Sequence, residues 1–371
     1  MLKCHMNFLN KKIFRFSKDA FGLDLSDLSV KIVQLEKNGT EFKMLSLGES
    51  EIPPGSVSDG EIILKENVVA AIKKALEKAT PKKIKTKKVI CSLPESKGFL
   101  RIISLPFMDE QEIKEAIKWE IEANIPLPLE QVYYDWQLIG KGLKKEKNKI
   151  EILVVAISRK TADQFLEVLD AAGLEPIGME IESIAQARSL VNKSATDETV
   201  LVVDIGDRRT SFSILTDNIP CFTSSMALSA QYLTDAISKT LNISFEEAEK
   251  MKIQYGIGSA SEKDEIFRSV EPVLESLYLE IKKTVDFYLE NLKYSPSVNK
   301  IILCGGGSNT KGLSEYISEK LGQKIEVGCP WTNFNLKKQP PNIKSDNAIR
   351  YSTAVGLAIK GSSLETYDCN H

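Results

Sequence analysis

Two aspartates sit in matching surroundings 180 residues apart. Asp24 lies in GLDLSDLSVKIVQL (22–35) and Asp204 in VVDIGDRRTSFSIL (202–215). Each segment reads as an apolar strand carrying one carboxylate, a small or hydroxyl-bearing turn, and a second strand of alternating polarity. Ser26 stands in the first turn where Gly206 stands in the second. The separation is about half of the 371-residue chain, so internal duplication competes with chance similarity of two hairpins. A third element, ILCGGGSNTKGL (302–313), sets Gly305, Gly306 and Gly307 between a buried-type strand and a helix. Glycine there lets backbone approach a ligand closely, and a helix start offers free N–H groups to an anion. A dinucleotide fingerprint needs another glycine three positions after Gly307, where Thr310 stands, and a Walker-type phosphate loop fails at the same residue, just before Lys311.

Strands and helices must hold these residues, and the hydrophobic pattern supplies both. Alternation from 21 to about 47, broken at Ser26-Asp27 and ended by turn signals, predicts strands. Val68, Val69, Ile72, Ala75 and Leu76 recur at helical spacing over 66–78, and KVICSL (88–93) reads as a short buried strand stopped by Pro94. A unit with its own rhythm follows, about 97–178. It has a strand at 99–105 and a helix capped by Asp109 with Ile113, Ala116, Ile117 and Ile121 as its apolar stripe. Pro126 and Pro128 end that helix; strands at 132–139 and 150–157 flank the charged tip KGLKKEKNK, and a helix at 161–172 stops at Gly173. This is the pattern of a small α+β domain inserted in a larger one. Strands return at 199–215 with turn residues Asp217-Asn218, helices fill 225–293, KIILC (300–304) is a strand, and helices are expected at 311–321 and 347–360.

Composition narrows the classes of function. A chain of 371 residues is too long for one ordinary core, and 42% apolar with 27% charged residues fits a soluble globular protein. A net charge of −2 lacks the basic excess that drives nucleic-acid binding. The six cysteines show no C-x-x-C spacing and read as reduced thiols of a cytosolic protein. The two histidines, His5 and His371, stand at the termini, which removes a histidine base from the body of the chain and makes a zinc site a poor expectation. No apolar run reaches the ~18 residues that span a membrane. The basic start, residues 1–19, is too charged for a signal peptide and reads as a tail or a weak membrane-surface contact.

Two aspartate hairpins with a late glycine turn resemble the actin-like ATPase superfamily, and within it the order of motifs is similar to the type IV pilus assembly PilM family. G-x-D-x-S-x-x-S-x-K opens the chain as in that family, except that Ser26 replaces its usual glycine. QEIKEAIKWEIEANIPLPLEQVYYDWQLI resembles the inserted domain, SFEEAEKMKIQYG (244–256) the helix that reaches the nucleotide's sugar, and SDNAIRYSTAVGLAIK (345–360) the closing helix. The resemblance covers about residues 20–360. It implies an α/β, actin-like (ribonuclease-H-like) two-lobe ATPase fold with a small α+β domain inserted in the first lobe, placed as in FtsA and unlike actin. The implied layout is a first lobe at 20–96, the insert at 97–178, an inter-lobe helix at 179–197, a second lobe at 198–360 with a helical subdomain near 225–298, and a polar tail at 361–371.

The resemblance also implies roles. Asp24 and Asp204 would associate with Mg²⁺, largely through water, as suits a hard cation. Ser26, Ser29, Lys31, Gly206 and Thr210 would meet phosphate, and amides in tight turns make an anion nest. Gly305, Gly306, Gly307 and Ser308 would back the adenosine. Glu249 and Lys252, on one helix face, would hold ribose and base or form an ordinary ion pair. Glu182 would orient an attacking water or merely cap its helix; Lys31 would face phosphate or solvent; Arg208 and Arg209 would pair with phosphate or remain exposed turn charges. The implied protein is a cytoplasmic ATP-binding scaffold, at most a slow ATPase, peripheral at the inner membrane through its partners. It would bind the cytoplasmic N-terminal peptide of a PilN-like protein, with the pilus motor ATPase and platform protein as further partners. An FtsA-like polymerising protein and a sugar or acid kinase are the alternatives.

Overall fold

A computed structural model describes residues 20–39, 41–139, 149–192, 198–258, 264–291, 297–334 and 345–363. The basic start, most of the charged tip KGLKKEKNK and the polar end beyond 363 lie outside them. The chain forms two compact units. The first runs to Ala185 and takes in Pro220–Phe222 and the end of the chain from Thr353; the second holds Gln186–Ile219 and Thr223–Ser352.

In the first unit a six-stranded sheet has the order Glu175–Ile181, Lys88–Leu93, Phe21–Leu25, Ser29–Asn38, Glu41–Glu51, Thr80–Pro81. Phe21–Leu25 is buried along its whole length, the signature of a central strand covered on both faces. It pairs parallel to Lys88–Leu93 and antiparallel to Ser29–Asn38, with Asp24 opposite Lys31, and Lys31 lies opposite Glu49 on the next strand. Helix Lys65–Lys78 buries Val68, Ala71, Ile72 and Ala75, a single stripe at helical spacing, against this sheet.

A smaller antiparallel sheet in the same unit has the order Gly98–Pro106, Lys149–Ser158, Val132–Leu138. Helix Glu110–Asn124 covers it, and Ile103, Ile113, Ile117, Ile121, Ile152 and Val154 form a separate core. That helix begins with a reciprocal cap: the Asp109 carboxylate accepts from the N–H groups of Gln111 and Glu112, and Glu112 accepts from the Asp109 N–H. The sequence pattern carried the insert to residue 178. In the structure, helix Arg159–Ala171 directs Ala162, Phe165, Val168 and Leu169 into the core of the six-stranded sheet, and Glu175–Ile181 is that sheet's edge strand. Hydrophobic spacing shows that a face is buried, not which core receives it.

A five-stranded sheet has the order Ile219–Met226, Thr210–Thr216, Thr199–Ile205, Lys300–Cys304, Ile325–Val327, and all of it except Pro220–Phe222 falls in the second unit. Thr199–Ile205 again pairs antiparallel with the strand that follows it and parallel with a distant one, so Asp204 stands opposite Ser211 and Cys304. Asp217 and Asn218 take left-handed φ of 52° and 65°, as a two-residue turn between twisted strands requires. Residues 225 and 226 extend the strand after that turn, and helices begin only at Ala230–Leu241, followed by Phe245–Tyr255 and Glu265–Asn291.

Within the first unit, the closing helix Ser352–Ser363 packs closely at two glycines. A Cβ on Gly22 would run into the backbone of Ala354 and Ala358, and one on Gly356 into the carbonyl of Ala185. These approaches are backbone to backbone and leave no room to yield. Gly22→Ala or Gly356→Ala is expected to destabilise the protein by about 1–3 kcal/mol, the usual cost of overpacking. A clear fall in thermal midpoint checks this; an unchanged midpoint in both variants contradicts it.

Candidate functional site

The first hairpin is a compact polar cluster at the end of a buried strand. Asp24 is 7% exposed, and its Oδ1 accepts from the Ser92 hydroxyl at 3.2 Å. Ser92 accepts in turn from the Leu25 N–H at 2.9 Å, so a neighbouring parallel strand holds the carboxylate in place. Lys31 is equally buried and donates to the Ser29 hydroxyl at 2.6 Å, which leaves it beside Asp24 and out of solvent. The turn closes on itself: the Ser26 N–H donates to Ser29 O at 3.0 Å and its hydroxyl to the same oxygen at 3.1 Å. Asp27 accepts from the N–H groups of Asp59 and Gly60 and ties the turn to the next hairpin. Burial pushes the Asp24 carboxyl above its ordinary range; Lys31 and the Ser92 hydrogen bond oppose this, and Glu49 adds to it.

The second hairpin repeats the turn. The Gly206 N–H donates to Arg209 O at 2.9 Å, the counterpart of Ser26 to Ser29. Neither Ser26 nor Gly206 has positive φ, so serine fits the first turn without strain. Asp204, half-buried, accepts at Oδ2 from the Gln186 side-chain amide at 2.5 Å. Gly305 has φ +78°, and a Cβ there would fall on Asp204 Oδ1. The glycine is thus required twice, by its conformation and by the carboxylate beside it. Thr210 is fully buried, and its hydroxyl has no hydrogen-bond partner. Arg208 is exposed, and Arg209 donates to the Ser225 hydroxyl at 3.0 Å.

Around this hairpin the second unit gathers the other predicted residues. The Ala230 N–H donates to Gly206 O at 3.0 Å, so helix Ala230–Leu241 starts against the turn. Its N-cap, Ser229, is buried, makes no cap bond, and has an unpartnered hydroxyl. Lys252 is buried and donates to Ala230 O, to the Thr234 hydroxyl and to Glu249 Oε2, at 3.1, 2.8 and 2.8 Å. An ammonium has three protons, and these three contacts match them. Glu249 also accepts from Thr234. Gly256, at φ +70°, ends that helix against the Lys311 carbonyl, which accepts from the Ile257 N–H. The helix bearing Glu249 and Lys252 is thereby joined to the segment after the glycine turn. In that turn Ser308 is buried and donates to Gly305 O at 2.8 Å, while a Cβ on Gly306 would meet only the Arg350 side chain.

Glu182 begins helix Glu182–Leu190 in the first unit. It accepts from the Glu95 N–H at 3.3 Å, and Glu95 accepts from the Ser183 N–H at 3.0 Å. The two carboxylates cap one another's segments. Sequence reasoning passed over Glu95, Ser92, Gln186 and Ser229. Only Gln186 had a signal, standing four residues after Glu182 on one helix face. Ser92 is brought to Asp24 by a strand pairing across 68 residues, which no local pattern records. Among the described residues no three His, Cys, Asp or Glu side chains assemble into a metal cage.

A mixed sheet in each unit, each with an aspartate hairpin flanked by a parallel strand, defines the actin-like fold. Spiroplasma citri MreB5 bound to AMPPNP shares that fold, with a TM-score of 0.54 at 14% identity, over 91% of this chain and 94% of MreB5. The PilM–PilN type IV pilus biogenesis complex is nearer, with a TM-score of 0.78 at 27% identity, covering 93% of this chain and 99% of that one. Cell division protein FtsA of Streptococcus pneumoniae is 23% identical over 344 residues, 83% of this chain and 75% of FtsA. Residues 22–362 match the family described as type IV pilus assembly protein PilM, and the chain belongs to that family.

The raised pKa of Asp24 has a testable sign. The folded state holds the proton more tightly than the unfolded one, so the stabilising contribution is complete in acid and is lost as pH rises through the folded value. Ionised Asp24 therefore costs stability at neutral pH. Asp24→Asn is expected to raise the thermal midpoint of the nucleotide-free protein at neutral pH, and the gain should fade as pH falls toward about 4. A variant less stable at neutral pH and closer to wild type in acid has the opposite sign.

Proposed function

We propose that this chain is an ATP-binding scaffold of the type IV pilus inner-membrane platform, and that it seats the cytoplasmic N-terminal peptide of a PilN-like protein. The observation that carries the nucleotide reading is the repeated hairpin: the same N–H to carbonyl closure at Ser26 and Gly206, each beside a strand-end aspartate. The residues present fit the group. Asp24 and Asp204 offer oxygen to Mg²⁺, which takes one or two carboxylates plus phosphate and water rather than a protein cage. The unpartnered hydroxyls of Thr210 and Ser229 flank the Gly206 turn and lack acceptors or donors of their own. When bound, Mg²⁺ would neutralise phosphate charge.

On this reading Ser26, Ser29, Lys31, Gly206 and Thr210 hold phosphate, and Gly305, Gly306, Gly307 and Ser308 back the adenosine. Lys252 spends its protons within the protein, so its contribution to ribose and base is to fix Glu249. Glu182, which accepts from the Glu95 N–H, would on this reading orient a water, with slow turnover. The partner reading comes from family membership and from the PilM–PilN complex to which the chain is similar. The small three-stranded layer would act as the inserted domain beside the peptide seat. Among the described residues no helix is long and apolar enough to cross a membrane, and attachment to the inner membrane would run through the partner.

Isothermal titration is expected to show Mg·ATP binding to the wild type that is lost in Asp24→Ala and in Asp204→Ala. Unchanged affinity in both variants ends the nucleotide reading. A fluorescent N-terminal peptide of a PilN-like protein from the same genome should bind saturably, with an affinity that changes when ATP is added. No binding in either condition removes the partner reading. ATP-dependent filaments formed without any partner, seen by electron microscopy, would transfer the chain to an FtsA-like role.

A further inference from the structure

We infer that Gln186 is a positioning residue for divalent-cation binding at Asp204. This rests on the reading of Asp204 as a cation-associated carboxylate and adds the group that aims it. Gln186 is 3% exposed, and its amide reaches Asp204 Oδ2 at 2.5 Å. The other oxygen, Oδ1, lies where a Cβ of Gly305 would be. The carboxylate is therefore set between a donor on one side and a glycine on the other, and its plane is restricted.

The donor's chemistry suits the task. A primary amide gives a carboxylate a hydrogen bond and no charge. A lysine or arginine in its place would neutralise Asp204 and compete with a cation; an aliphatic residue would take this hydrogen bond away from the carboxylate. Groups that orient a ligand from behind in this way carry a large share of metal affinity. The backbone that carries this amide is itself anchored. The Ser189 hydroxyl donates to Gln186 O at 3.2 Å, and the Asn333 side chain donates to Arg188 O and Val191 O at 3.1 and 2.7 Å, holding the helix end. Asp24 has a different arrangement, with a serine hydroxyl and a cross-strand lysine around it. The two carboxylates of the repeated hairpin are thus held by different means, and the cation dependence assigned to Gln186 belongs to the second.

Gln186→Met keeps the side-chain volume and removes the donor; Gln186→Leu does so with a different shape. ATP binding by the full chain is titrated against Mg²⁺, and again in EDTA. The expected result is a half-saturating Mg²⁺ concentration about tenfold or more above wild type in both variants, with EDTA-measured affinity unchanged. Equal weakening with and without Mg²⁺ shows a structural role and overturns the proposal. So does a wild-type Mg²⁺ dependence in folded variants, and if Asp204→Ala still abolishes binding there, the nucleotide reading survives while this one fails. Wild-type protein that binds no Mg·ATP overturns both.

Discussion

A carboxylate at the end of a buried strand is costly to keep, and each half of this chain keeps one. Taken from water, an unpaired carboxylate either finds donors or holds its proton. Asp24 and Asp204 each stand where a central strand runs into a tight turn, with an antiparallel partner on one side and a parallel strand on the other. The parallel neighbour brings a residue from far along the chain to the carboxylate: Ser92 for Asp24, and Cys304 with the glycine turn behind it for Asp204. The surrounding sheets, helices and close-packed glycines keep those distant residues in register.

The two positions are solved differently. Asp24 is nearly closed off and receives a hydroxyl, with Lys31 alongside and Glu49 one strand further, and burial outweighs the lysine so that its pKa rises. Asp204 is half-buried and receives the amide of Gln186. A chain selected only for stability would have little reason to hold either group there. The same turn closure forms at both sites, through serine in one and glycine in the other, so the backbone bonding of the hairpin does not depend on which small residue stands there.

Lys252 directs its donors to other groups of the protein. Its three donors are matched by Ala230 O, Thr234 and Glu249, and Ala230 in turn bonds to Gly206. One buried ammonium thus joins two helices to the turn of the second hairpin. The i, i+3 spacing of Glu249 and Lys252 was visible beforehand, but the spacing alone did not distinguish a surface ion pair from a buried strut.

The sequence by itself determined the local pieces: the two aspartate strands, the hydroxyl and glycine turns, the capped helix after Asp109, and their order along the chain. These follow from periodicities of two and 3.6 and from turn chemistry, which neighbouring residues specify. Tertiary structure alone decided what lies against what. It put Ser92 on Asp24 across 68 residues, placed Gln186 on Asp204, buried Lys31 rather than leaving it in solvent, and gave the 159–171 helix to the large sheet's core. It also showed Ser26 to be an ordinary member of its turn, because φ there is negative and glycine's freedom is not needed. Pairings between distant strands and the choice of core are settled by packing over the whole unit, and no short stretch of sequence carries that information.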